Sequence, residues 1–385
     1  MIFSLLYDPY KYELTNGQLP SLVKFLQTFS KNLYMSLKIG LVGLPNVGKS
    51  SLFNFFTKKE ILIANYPFAT IDPNVGIMVL SDSRLEKLSN YWKSKKTTPS
   101  VIEIVDIAGL VKGASQGSGL GNEFLSHIRE VDLICHVLRC FPEKEIVHVE
   151  KSVDPIRDFE IIQLELTLAD LQQATKRLDK LKIRDEKTKK EKELLKKVQE
   201  NLESGQLVKK INFSEEEKEI LKSYNLLTNK PIILIGNYGG DVNETNQLEE
   251  YAQEKKLPFF PLAVKLEKET EDLSPEEKKE IGWNNTDFSL LAKKIKESLE
   301  LKTFFTTGED ETKSWLAKKT MNAKECAGLI HSDIQKGFIR AEIYNYDDWL
   351  QFPSREELKK LGKIGKEGAD YLIKEGDICY FLFSK

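Results

Sequence analysis

Nine residues, "GLPNVGKSS" from Gly43 to Ser51, constrain this chain more than any other stretch. They satisfy GxxxxGK[ST] directly after the apolar run "KIGLV" and directly before the helix-like "SLFNFFTKK". In a strand–loop–helix setting the glycines let backbone N–H groups converge on phosphate oxygens. Lys49 neutralises their charge and Ser50 offers an oxygen to magnesium. The run Asn46, Val47, Gly48, Lys49, Ser50 and Ser51 is therefore expected to line a nucleotide.

Around that loop the chain alternates β-rich apolar runs ("KIGLVG", "VIEIVD", "LICHVLRC", "PIILIGN", "FFPLAV") with amphipathic stretches, the pattern of a parallel sheet covered by helices. The expected core is α/β. About ninety residues of another texture interrupt it between Arg139 and Lys230. There Ile161, Leu164, Leu168, Leu171, Leu178 and Leu181 form a narrow seam, a polar turn "KIRDEKTKKEKE" follows, and Leu194, Leu195, Val198 and Leu202 mark a second helix. An antiparallel helical hairpin is expected, compatible with use as a docking arm. The last eighty or so residues carry short alternating strands ("KSWLAKK", "FIRAEIYNY", "DYLIKEGDICYFLF") and one helix-like run, a small α+β module.

The chain has 385 residues, 41% hydrophobic and 30% charged, with a formal net charge of −2 and no run apolar enough to span a membrane. The total charge neither selects nor excludes a nucleic-acid partner. Cys135, Cys140, Cys326 and Cys379 form no CxxC pair and read as reduced core thiols of a cytosolic protein. The N-terminal run lacks a basic start and meets Asp8 too early for a secretory signal. A second methionine, Met35, precedes the first strand, so residues 1–34 are expected to be a dispensable extension.

Further motifs fall where a nucleotide-hydrolysing domain needs them. "VIEIVD" runs into "DIAGL", placing Asp106 at a strand end to hold the magnesium shell and Gly109 to sense the γ-phosphate. Thr70, in "NYPFATIDPN", is spaced to reach magnesium when the triphosphate is present. The glycine-rich run Gly109–Phe124 is expected to be mobile, as a second switch loop.

The runs "GLPNVGKSS", "NYPFATIDPN", "VDIAGLVKGASQGSGLGNEFLSHIRE", "HVLRCF", "KGFIRAE" and "EGDICYFLF" resemble the YchF family of Obg-like ATPases, over nearly everything from Met35 to Lys385. The resemblance implies a P-loop NTPase G domain (35–139 and 228–301), an α-helical coiled-coil insertion (140–227) and a C-terminal TGS domain of β-grasp form (302–385). It also implies ATP as substrate and association with ribosomes or ribosomal RNA.

The residue after DxxG is Leu110, where Ras-type GTPases place a glutamine that orients the attacking water. Leu110 makes no such hydrogen bond, so slow intrinsic hydrolysis is expected unless another group substitutes. Two substitutes are compatible with the sequence: a potassium ion held near Asn46, and His148 of "EIVHVE". The other histidines, His127, His136 and His331, read as packing or surface residues.

Base choice rests on "PIILIGNYGGD". Asn237 ends the strand, yet the acid that a guanine reader carries three residues later is replaced by Gly240. Lost acceptors penalise guanine more than adenine, so ATP is expected over GTP. Asn237, Tyr238 and Lys265 are the expected base contacts. The open alternative is Asp241, which the Gly-Gly pair would let enter the vacant place. Basic residues in the hairpin turn and in the last module are expected to meet RNA across a cleft, with no membrane and no DNA specificity. Two classes stay open: an NTPase whose hydrolysis resets a translation-linked switch, or a nucleotide-gated binding module with incidental hydrolysis.

Overall fold

The computed structural model describes residues 37–57, 74–107, 119–142, 150, 152–283 and 286–384. These divide into two compact units: Leu37–Tyr91 with Thr97–Leu301, and Trp92–Lys96 with Lys302–Lys385. Residues 1–34, and with them the expected extension, lie outside the described residues.

The larger unit is built on a six-stranded sheet. Its strands are β1 (Lys38–Val42), β2 (Val75–Leu80), β4 (Ser100–Asp106), β5 (Leu133–Arg139), β6 (Ile232–Asn237) and β7 (Phe259–Leu262), and its order is β2-β4-β1-β5-β6-β7; β3 (Lys96–Thr98) belongs elsewhere. β2 runs antiparallel to β4 and every other pairing is parallel. Interior parallel strands are covered on both faces, which is why "LICHVLR" and "IILIGN" are apolar almost throughout and every residue of both is buried. Helices α1 (Lys49–Thr57), α2 (Ser83–Trp92) and α3 (Gly119–Glu130) intervene between the early strands. Because α3 starts at Gly119, the end of the glycine-rich run expected to be mobile is helical.

Between β5 and β6 lie α4 (Pro155–Lys180), α5 (Glu186–Glu203) and α6 (Glu215–Lys222). Asp154 caps α4 by accepting from Arg157 N, and Pro155 sits at the first turn, where its missing N–H costs nothing. The single leucine seam read from the sequence is corrected here. Leu164 is 58% exposed, and the first half of α4 buries Phe159, Ile162 and Leu166 instead. Phe159 packs against the β5 side chain of His136, ring centroids 5.4 Å apart and planes tilted by 44°. Only the second half behaves as a hairpin, with Ala174, Leu171, Leu178 and Leu181 joining Leu194, Leu195, Val198 and Leu202. The expected twelve-residue turn is also shorter. Asp185 and Thr188 form a capping box that starts α5 at Glu186, so most of "KIRDEKTKKEKE" is helix.

Behind the hairpin, Asp170 of α4 is fully buried. It accepts from Leu227 N, Thr228 N and Thr228 Oγ1, with the Arg129 guanidinium 3.5 Å away. Lys230 Nζ donates to the carbonyls of Arg129 and Val131 at the end of α3. The return from hairpin to β6 is thus fastened to both helices. After β6 come α7 (Asn246–Lys255), α8 (Val264–Glu269), α9 (Pro275–Glu280) and α10 (Phe288–Ser298).

The second unit contains β8 (Leu301–Thr306), β9 (Glu311–Lys318), α11 (Ala323–Ile330), α12 (Ser332–Lys336), β10 (Phe338–Asn345), α13 (Tyr346–Gln351), α14 (Arg355–Lys360), β11 (Gly365–Glu367) and β12 (Asp377–Phe383). Its sheet order is β11-β10-β12-β8-β9-β3. Phe304, Trp315, Ala317, Cys326, Ile343, Cys379 and Phe381 share its core. The helix-like run here is two helices, because His331 breaks it and its Nδ1 accepts from Asp333 N. Trp92–Lys96, read from the sequence as part of the nucleotide domain, groups with this unit. Lys95 N donates to Glu309 O at 2.8 Å and Ser94 Oγ to Gly308 O at 2.7 Å.

All four cysteines are buried free thiols, and burial pushes Cys135, Cys140 and Cys326 up to about 12. Among the described residues no helix is long and apolar enough to cross a membrane.

Candidate functional site

β1 delivers the chain into the phosphate loop, whose backbone takes left-handed turns at Asn46 (φ 64°) and Gly48 (φ 100°). A side chain at Gly48 is barred twice. Its φ disfavours L residues, and a Cβ would lie 2.5 Å from Asn237 Nδ2. Leu52 N then bonds Gly48 O at 3.0 Å, starting α1 with Lys49 in its first turn.

Lys49 is 7% exposed, and its ammonium is folded onto the loop, donating to Gly43 O at 3.0 Å and Leu44 O at 2.9 Å. Burial brings it down to about 8, with the Asp106 carboxylate opposing that shift. Ser50 Oγ donates to Asp106 Oδ2 at 2.8 Å. The other carboxylate oxygen, Asp106 Oδ1, is buried with no hydrogen-bond partner. A hydroxyl, a carboxylate and an orphaned buried anionic oxygen beside a phosphate loop suit magnesium, a hard cation that takes one or two protein oxygens and completes its shell with water and phosphate. Among the described residues no group of three or more His, Cys, Asp or Glu side chains gathers as a metal cage.

Asn237, at the end of β6, is bonded to two other loops of the site. Its side-chain amide is committed to the protein: Nδ2 donates to Val47 O at 2.9 Å and Oδ1 accepts from Val264 N at 3.3 Å. The residue is 4% exposed. It therefore ties the phosphate loop to the loop after β7. Tyr238 follows, half-buried, its ring 6.4 Å from Trp283 and its hydroxyl pushed up by burial and by Glu267. Lys265 is exposed in the first turn of α8.

Gly240 holds φ 154°, where an L side chain is strained, and a Cβ there would meet Leu266 Cδ1 at 3.6 Å. Asp241 is not poised to replace the missing acid. Its Oδ1 accepts from Asn243 N at 3.0 Å and Asn243 Nδ2 at 2.8 Å, capping the short helix Val242–Thr245. A residue the sequence reading missed, Glu244, holds the same loop by accepting from Gly239 N at 2.7 Å. A lone glutamate five residues after a glycine carries no motif.

Asn46, Lys49, Ser50, Asp106 and Asn237 are thus on or bonded to one loop system, while Thr70, Gly109, Leu110 and His148 lie outside the described residues. His136 is fully buried in β5 with both ring nitrogens unbonded, pushed down to about 3 by burial and by the charge of Lys49, and acts as neutral packing. His127 is exposed on α3.

Comparison with known proteins agrees with this geometry. Residues 38–238 match the family described as 50S ribosome-binding GTPase, and residues 301–384 match YchF-GTPase_C, described as a protein of unknown function. The chain is 44% identical over 365 residues to the ribosome-binding ATPase YchF of Bacillus subtilis, covering 91% of this chain and 100% of that one. It is 46% identical over 367 residues to the protein of the same name from Mycoplasma genitalium, covering 90% and 99%. A solved structure of the Schizosaccharomyces pombe YchF GTPase superposes with a TM-score of 0.80 at 36% identity, covering 90% of this chain and 98% of that one. With relatives of that name matched over nine-tenths of its length, the chain belongs to the YchF family.

Proposed function

We propose that this protein is a P-loop NTPase that hydrolyses ATP to ADP and phosphate and works as a ribosome-associated, translation-linked switch. The observation that carries the reading is the Ser50–Asp106 hydrogen bond of 2.8 Å beside the buried Lys49, on a chain whose relatives are named ribosome-binding ATPases. The domains assigned to it are the extension 1–34, an OBG-type G domain at 35–139 and 228–301, a coiled-coil insertion at 140–227 and a β-grasp TGS domain at 302–385. The two compact units, parting at Leu301, support the last boundary.

In this reading Lys49 leaves the carbonyls of Gly43 and Leu44 for the β- and γ-phosphates, and the backbone N–H groups of Val47, Gly48 and Ser51 follow the phosphate chain. Ser50, Asp106 and Thr70 would hold magnesium, which would supply charge neutralisation at the phosphates. Gly109 senses the γ-phosphate. Leu110 cannot orient water, and two substitutes are open: His148, which would position it, or Asn46, which would help to hold a potassium ion near the transferring phosphate. Asn237, Tyr238 and Lys265 frame the base. With Gly240 lacking a side chain and Asp241 bound to Asn243, guanine finds no acceptor pair, which favours adenine.

Two measurements test this. Parallel titration with ATP and GTP is expected to give tighter ATP binding, and clearly tighter GTP binding overturns the base assignment. Single-turnover hydrolysis is expected to accelerate with added ribosomes and with potassium over sodium. Ribosome binding without acceleration would make the protein a nucleotide-gated binding module instead.

A further inference from the structure

The return from the hairpin to β6 is held from two sides. On one side is α4. Gln173 Nε2 donates to Tyr224 O at 2.8 Å, and the fully buried Asp170 accepts from Leu227 N, Thr228 N and Thr228 Oγ1 at 2.9, 2.8 and 2.8 Å. On the other side is the end of α3. Arg129 Nη1 donates to Asn225 O at 3.1 Å and stands 3.5 Å from Asp170 Oδ1. Asn225 holds φ 46°, a left-handed turn that asparagine adopts more readily than most residues, and its carbonyl is the one that Arg129 engages.

The two sides are not equally tight. The bonds from Asp170 to the return are short, whereas Arg129 approaches the same carboxylate only to 3.5 Å, and its side chain is 26% exposed. This contact is therefore the first to open when α3 and α4 shift against each other. A buried carboxylate is a poor device for stability alone, because a packed apolar side chain serves as well; its best-attested use is to fix a register or work a switch. Both partners also sit on rods. The chain runs from Gly109 to the start of α3 at Gly119, and α3 buries Phe124, Leu125 and Ile128 before reaching Arg129 in its last turn. The root of α4 is pinned where Phe159 packs against His136, and Asp170 lies about 16 Å further along the same helix. A displacement of the end of α3 thus meets α4 well beyond its pivot and tilts the distal hairpin.

We propose that Arg129 is a positioning residue that passes a nucleotide-dependent shift of α3 to the hairpin, through the return at residues 224–230 and Asp170. This rests on the switch reading above and deepens it by naming the joint at which nucleotide and hairpin are coupled.

The test uses the full chain. Lys182→Cys and Glu249→Cys place spin labels on the hairpin and on α7, the four native thiols being buried. Pulsed electron resonance reads the distance between the labels with magnesium and either ADP or β,γ-imido-ATP. The two nucleotides are expected to give different distances when Arg129 is present and the same distance in Arg129→Ala, with the difference restored in part by Arg129→Lys. Without labels, acceleration of ATP hydrolysis by purified ribosomes is expected to fall about fivefold or more in Arg129→Ala, while ATP affinity and the ribosome-free rate stay unchanged. Arg129→Gln, which removes the charge and keeps a donor, gives the same readings if Arg129→Ala does not melt in a single transition. A nucleotide-dependent distance change that survives in the variants, or none with Arg129 present, overturns the coupling. So does a ribosome-free rate that falls by the same factor as the ribosome-stimulated one, the result of a merely structural role. Ribosomes that accelerate neither protein overturn the switch reading, whereas a distance change lost in Arg129→Ala still supports the joint.

Discussion

Asn237 Nδ2 donates to Val47 O at 2.9 Å, joining the end of β6 to the phosphate loop across 190 residues of sequence. The same amide accepts from Val264 N. The base-side loops and the phosphate-side loop are therefore held by one side chain. Asn237→Ala leaves a buried carbonyl and a buried N–H unmet, at about 1 to 3 kcal/mol. The expected result is weaker binding of ATP and GTP by similar factors, measured by calorimetry, with a lower urea midpoint. A large change in the ATP to GTP ratio would instead make Asn237 chiefly a base reader.

Asp241→Ala separates capping from base reading. Its carboxylate bonds Asn243, so the variant is expected to lose no more than about 1 kcal/mol of stability and to keep its ATP to GTP ratio. A selective loss of GTP affinity would show that Asp241 reaches the base.

Lys49 makes nucleotide affinity depend on pH in the alkaline range. Burial sets the folded value at about 8 against 10.5 in the unfolded chain. Above that folded value the free protein's ammonium is neutral, so binding phosphate requires proton uptake and ATP affinity is expected to fall by up to about tenfold per pH unit. Between the two values the unfolded chain holds more protons, so this group makes the unliganded fold more stable as pH rises. Lys49→Arg, charged throughout, should bind less well but with a flatter profile between about pH 7.5 and 9.5.

Asp106→Asn removes the charge from both carboxylate oxygens while keeping their shape. ATP turnover is expected to drop at least about tenfold, with a higher magnesium concentration for half-maximal rate. Equal magnesium dependence in both proteins would remove Asp106 from the metal shell.

Asp170→Ala tests the anchorage of the hairpin. Three donors of Leu227 and Thr228, and the neighbouring Arg129, lose their buried acceptor. Destabilisation of about 3 kcal/mol or more is expected in urea, and Asp170→Asn, which can still accept, should cost less.

The strands and the phosphate loop were legible because burial on both faces forces long apolar runs, and a phosphate-binding turn forces glycine and lysine at fixed spacing. "LICHVLR" and "GLPNVGKS" carry those demands in their composition. The seam of α4 was misread at Leu164 because one helix packs against two partners in succession, the sheet at Phe159 and the second helix at Leu171, and periodicity assumes one. The Asn237 brace and the Glu244 clamp were invisible for another reason. Each depends on which backbone groups a distant loop leaves unbonded, and no local spacing records that. The grouping of Trp92–Lys96 with the second unit likewise comes from bonds such as Lys95 N to Glu309 O, across more than two hundred residues of sequence.

The two-stage packing of α4 has a mechanical consequence. The helix is 26 residues long with no glycine, and its one proline is in the first turn, so it spans about 39 Å without a natural bending point. Its root is clamped to β5 by Phe159 and its far end bears the basic tip. Such a rod works as a lever. A tilt of about 5° at the root sweeps the tip by about 3 Å, roughly the length of a hydrogen bond, so a subtle rearrangement beside the nucleotide is enough to make or break polar contacts at the far end.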